Sequence, residues 1–225
     1  MNPRPEIVRD SKYSDLYEQQ RRQIIEGLIP HGDGMAVDLG CGSGYFTRII
    51  RDRGWRVTGI DAEPSNCALA ERYAERVLCG DAANCLAKLD QGSVDLVIAL
   101  EIIEHLQERE AFLDAIRRVV KPQAHLLIST PNRYSPEGLY GRYWVEKIRR
   151  GKQWYAWDET HAHIFSSSEF LALLRRRGWQ PQKVIGYHYK SRFSLPITAS
   201  SRWPMNRFGF DTIVLCQPHG ERQIT

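Results

Sequence analysis

What most constrains the fold is a regular alternation, between Met35 and Trp179, of short apolar runs with segments of helical period. "MAVDLG", "WRVTGID", "VLCGDA", "VDLVIALE" and "AHLLISTPN" read as five strands. "YFTRIIRDRG", "SNCALAERYAERV" and "EHLQEREAFLDAIRRVVKP" read as intervening helices, the last closed by Pro122. Such alternation implies a parallel sheet with helices on both faces. The near-continuous apolar runs "LVIAL" and "LLIS" agree, since such strands are buried on both sides. A helix is expected before the first strand, within 12–30, and another in "SSSEFLALLRRRGW". "QKVIGYHY" and "FDTIVLCQ" read as two final strands. The segment 133–160, rich in Tyr, Trp, Arg and Lys, fits no sheet element. With 225 residues, the expectation is a single domain over 1–225.

Composition excludes several classes. A net charge of +4 is too mild to argue for nucleic acid. Five cysteines without a CxxC pair indicate neither a disulfide framework nor a zinc knuckle. The polar start "MNPRPEIVRDSKYSDLYEQQ" lacks the apolar core of a signal peptide. No run approaches the ~20 apolar residues that cross a membrane, so a cytoplasmic protein is expected.

"VDLGCGSGYF" places Gly40, Gly42 and Gly44 between the first strand and its helix. Glycine there permits positive φ and close backbone approach to a ligand, at the sheet edge where open α/β folds bind them. A dinucleotide fingerprint would want glycine at position 45, which is tyrosine, and no Gly-Lys-Ser/Thr phosphate loop is present. Asp61 ends the second strand and Asp81 the third. Singly, each acid would serve as a helix cap. Together, on adjacent tips beside the glycine loop, they suit a nucleoside ligand without phosphates.

The series "VDLGCGSG", "GIDAEP", "CGDAAN", "DLVIALEIIEHL", "ISTPN" resembles the class I S-adenosylmethionine-dependent methyltransferases, and is similar to the ubiquinone-pathway O-methyltransferases among them. The resemblance implies a Rossmann-like α/β fold: a seven-stranded, mostly parallel sheet whose last strand is antiparallel. It implies S-adenosylmethionine as cofactor. Gly40, Gly42 and Gly44 would lie against its methionine part, Asp38 would help hold the amino-acid end, and Asp61 with Ala62 would meet the ribose. Asp81 and Ala82 would meet the adenine, and Leu100 and Glu101 would pass near the cofactor. An amino-terminal aromatic, Tyr17 or Tyr13, would cover it, and the insert 133–160 would form a lid over the acceptor. "KPQAHLL" departs from the family's usual Lys-Pro-Gly-Gly turn.

Glu101, Glu104 and His105 follow the fourth strand at i, i+3, i+4, which on a helix would place them on one face. Three readings stand. The set opens a helix structurally; or His105 is a general base oriented by the carboxylates; or the set ligates a divalent cation. In the last reading "THAHIFSSSEF" supplies His161, with His163 the second choice, in a pattern similar to the metal site of small-RNA 2′-O-methyltransferases. Magnesium, manganese or zinc would fit. The function expected is methylation, with oxygen favoured, of a small acceptor that is aromatic, sugar-like or hydroxylated. RNA terminal 2′-O-methylation and non-catalytic cofactor binding are the alternatives.

Overall fold

The structure, a computed structural model, describes residues 11–135, 160–187, 199–201 and 205–219, with the backbone alone for residues 11–17, 199 and 205. Helix α1 (Ser11–Glu26) precedes an alternating series: β1 (Met35–Leu39), α2 (Tyr45–Asp52), β2 (Arg56–Asp61), α3 (Pro64–Ala70), β3 (Arg76–Cys79), α4 (Ala82–Leu86) and β4 (Val94–Leu100). A 3₁₀ turn (Ile103–His105) leads to α5 (Arg109–Val119) and β5 (Val120–Pro131). Then come α6 (Ser167–Arg176), β6 (Trp179–Tyr187), the two-residue β7 (Ala199–Ser200) and β8 (Asp211–Pro218). The sheet order is β3-β2-β1-β4-β5-β8-β6-β7. The first five strands are parallel, and β8 inserts between β5 and β6, antiparallel to both. This is the expected seven-stranded frame, extended at one edge by β7.

Each face of the sheet has its own core, as strand periodicity requires. Along β4, Val97 and Ala99 face a cluster with Phe112, Leu113 and Ile116 of α5 and Phe170 and Leu174 of α6. Leu96 and Ile98 face the other, with Ile25 of α1 and Ile50 of α2. α6 opens on a capping box: Ser166 Oγ takes the Glu169 N–H, and the Glu169 carboxylate takes the Ser166 N–H.

Two elements differ from their sequence reading. The helix after β2 stops at Ala70 instead of continuing to Val77. Pro122 does not close a helix; it lies within β5, where the ladder to β4 skips from Val120 to His125. A proline is tolerated there because no partner strand needs its missing N–H. Among the described residues no helix is long and apolar enough to cross a membrane.

Candidate active site

At the carboxyl edge of β1 the chain turns through Gly40, Gly42 and Gly44 with φ of 67°, 53° and 87°. The N–H groups of Gly40 and Cys41 both donate to the Ile60 carbonyl, at 2.8 and 3.0 Å, fastening the loop to β2. A Cβ at Gly44 would sit 2.7 Å from the Tyr73 ring, whereas at Gly42 it would meet no described residue within 4 Å. Gly44 is therefore packed, and Gly42 is not crowded by the described residues. Asp61 Oδ2 accepts from Gly42 N at 2.8 Å, and its Oδ1 from Glu63 N at 2.9 Å, so the acid borders the glycine turn. Ala62 beside it is exposed. Asp81 Oδ1 caps α4 through Ala83 N and Asn84 N, and Ala82 is buried behind it. Asp38 is 3% exposed and accepts from Thr47 Oγ1 at 2.6 Å, pinning the base of the loop to α2. Burial pushes its carboxyl up to about 7; the Thr47 hydrogen bond opposes this and Asp61 adds to it. Acids at three neighbouring strand tips thus stand around the glycine turn, an arrangement that fits the cofactor expected from sequence. Tyr17 and Tyr13 lie on α1, and their side chains fall outside the described residues, as do residues 136–159 of the expected lid.

Past β4 the geometry is not helical. Glu101 has φ 53°, the one positive value at a non-glycine among the described residues, and Ile103–His105 form a 3₁₀ turn. Glu101, Glu104 and His105 therefore do not share a helical face. The turn drives the Glu104 side chain inward to 0% exposure, and among the described residues neither carboxylate oxygen has a hydrogen-bond partner. Burial, reinforced by the Glu101 charge, holds its carboxyl well above the usual range. The Glu104 carbonyl accepts from Ala162 N at 2.8 Å and His163 N at 3.0 Å, bringing in the segment that carries His161. Ligand atoms of Glu104, His105 and His161 all lie within 4.8 Å of one another, and the two imidazoles are 4.7 Å apart between centroids. His105 Nδ1 lies 2.9 Å from Thr160 Oγ1 and 3.3 Å from the Thr160 carbonyl. A proton held on Nδ1 by that carbonyl leaves Nε2 with its lone pair.

Two sequence candidates stand apart from this triad. Glu101, whose Oε1 is 2.7 Å from Ser129 Oγ and 3.1 Å from Arg21 Nη2, is bound to other partners. The His163 ring packs edge-on against Phe165 at 4.5 Å, and burial with the nearby Arg109 and Arg133 charges pushes its pKa down. Sequence reasoning missed Arg21, Thr47, Ser129, Thr160 and Asp211. One signal was available: Arg21 stands at helical spacing in the sequence from Ile25, Leu28 and Ile29, all buried.

Residues 18–184 match a family model described as "Methyltransferase domain". The chain belongs to that methyltransferase family. The ubiquinone biosynthesis O-methyltransferase of Ralstonia nicotianae is 27% identical over 191 residues, covering 80% of this chain and 78% of that one. A SAM-dependent methyltransferase structure from Archaeoglobus fulgidus superposes with a TM-score of 0.66 at 19% identity, over 92% of this chain and 97% of that one. The 1,6-didemethyltoxoflavin-N1-methyltransferase of Burkholderia thailandensis, solved with S-adenosylhomocysteine, gives 0.59 at 16% identity, over 93% and 87%. The methyltransferase is thus of class I, with S-adenosylmethionine as its cofactor.

Proposed function

We propose that the enzyme O-methylates a small hydroxylated acceptor, with Glu104, His105 and His161 serving as a divalent-cation site beside the methyl donor. One observation carries the cation: a carboxylate buried to 0% exposure, without a hydrogen-bond partner among the described residues, in reach of two imidazoles. An unpaired buried polar group costs about 1–3 kcal/mol, and more when charged. A cation held by all three side chains would offset that cost. With Glu101 bound elsewhere, the set is one oxygen and two nitrogen ligands. This moves the preference from magnesium towards manganese or zinc. Such an ion, when bound, would lower the pKa of an acceptor hydroxyl and orient it.

The chain's own groups have defined tasks in this reading. The glycine loop and Asp61 hold the donor, and the tip of β4 sets the acceptor beside it, since displacement at a sulfonium methyl depends chiefly on alignment. Thr160 orients the His105 ring. The insert 133–160 is assigned as the acceptor lid, with half-exposed Tyr134 at its start. The relatives that are ubiquinone biosynthesis O-methyltransferases support a hydroxylated aromatic acceptor.

The test is transfer of labelled methyl to a panel of catechols, other hydroxylated aromatics and amines, with chelator and after return of manganese or zinc. Transfer to oxygen should vanish with chelator and return with metal. Glu104→Ala and His161→Ala should lose more than the roughly 10–100-fold that outer partners of a metal site cost. Full activity in chelator and in both variants removes the cation; transfer to amines alone removes the O-methylation.

A further inference from the structure

No methyltransferase motif accounts for the cation beside Glu101. Arg21 lies on α1, 8% exposed. Its Nε donates to Oδ2 of Asp211, the first residue of β8, at 2.8 Å. Its Nη2 lies 3.2 Å from Ser129 Oγ and 3.1 Å from Glu101 Oε1, and Ser129 Oγ donates to that same Oε1. One guanidinium gathers the ends of β4 and β8 and a residue of β5 beneath the first helix.

Stability alone does not explain this cluster. Taking an arginine and an aspartate out of water is costly, and matched apolar side chains would hold α1 at least as well. What the ions add is geometry, because a planar guanidinium fixes two carboxylates at once. The more exposed of these belongs to the residue with the strained backbone. Glu101 is held at φ 53° by its N–H to the Ser129 carbonyl at 3.3 Å, and at its side chain by Ser129 and Arg21. Backbone strain persists only where the surroundings over-determine it, as here. Glu101 keeps 31% side-chain exposure while Asp211 keeps 1%, so the open side of the cluster is the Glu101 side.

We infer that Arg21 is a positioning residue of the methyl-transfer site: it fixes the Glu101 carboxylate toward the cofactor and, through Asp211, clasps α1 to the sheet. The inference rests on the proposed site, since it requires Glu101 to border the cofactor.

The experiment is calorimetric titration of the full chain with S-adenosylhomocysteine, for the wild type, Arg21→Met, Glu101→Gln and the double variant. Each single change should weaken binding about tenfold, and the double should bind about as the weaker single does, because Arg21 acts through Glu101. Arg21→Lys should melt cooperatively yet still bind at least about threefold more weakly, because one ammonium cannot span both carboxylates. Wild-type affinity in Arg21→Met or Arg21→Lys, or losses that multiply to about 100-fold in the double variant, overturns the inference. If Arg21→Met does not fold, Arg21→Lys with Glu101→Gln completes the same cycle. A wild type that binds no S-adenosylhomocysteine contradicts the transferase site itself.

Discussion

Asp38 and Asp61 stand on neighbouring strand tips, yet their surroundings separate their roles. Asp38 is buried against Thr47 and carries a carboxyl raised from 3.8 to about 7, while half-buried Asp61 borders the glycine turn. A folded value above the unfolded one means the folded state binds the proton more tightly. The stability it contributes is therefore full below about pH 4 and lost as pH rises through about 7. Without ligand, Asp38→Asn should remove that part of the decline, seen as a smaller fall in melting temperature between about pH 4 and pH 7 than in the wild type. Equal slopes would refute the buried, protonated carboxyl. Asp61→Ala removes the Gly42 hydrogen bond together with the proposed ribose contact, and should weaken S-adenosylhomocysteine binding by about 10–100-fold in calorimetry. The acids at strand tips were legible because motif spacing marks them. Arg21 and Asp211 were not, because their pairing joins residues 190 positions apart.

Among the elements, the glycine turn makes the sharpest prediction because its members differ in surroundings. Gly42→Ala is not crowded by the described residues and costs about 1–2 kcal/mol from its left-handed backbone, so it should fold and still lose cofactor affinity. Gly44→Ala adds a collision with the Tyr73 ring at 2.7 Å, so its melting temperature should fall further. Equal melting temperatures would contradict the packed loop. At α6, Ser166→Ala removes one half of the capping box and should cost about 1 kcal/mol, or about 2–4 °C in a chain of this size, without altering cofactor affinity. The core strands were readable because apolar runs and turn glycines report local preferences. The segment after β4 was misread as helix because i, i+3, i+4 spacing carries no sign of φ. The left-handed Glu101 is imposed by Ser129 and Arg21, which come from β5 and α1.

Over the whole molecule, a strand–helix series builds a parallel half-sheet, and the last strand joins it from the other side, bringing Asp211 to β5 and to Arg21. Alternation foretold the layers, and the family resemblance the antiparallel last strand. It did not foretell that β8 would insert between β5 and β6, which only long-range pairing decides. A second distant contact makes the candidate cation site: the Glu104 carbonyl captures the backbone at Ala162 and His163, and His161 arrives beside His105. The most direct check is the metal content of the purified chain after equilibrium dialysis against manganese or zinc. About one ion per chain is predicted for the wild type and almost none for Glu104→Ala or His161→Ala. A metal-free wild type, or variants that retain as much as the wild type, would contradict the account.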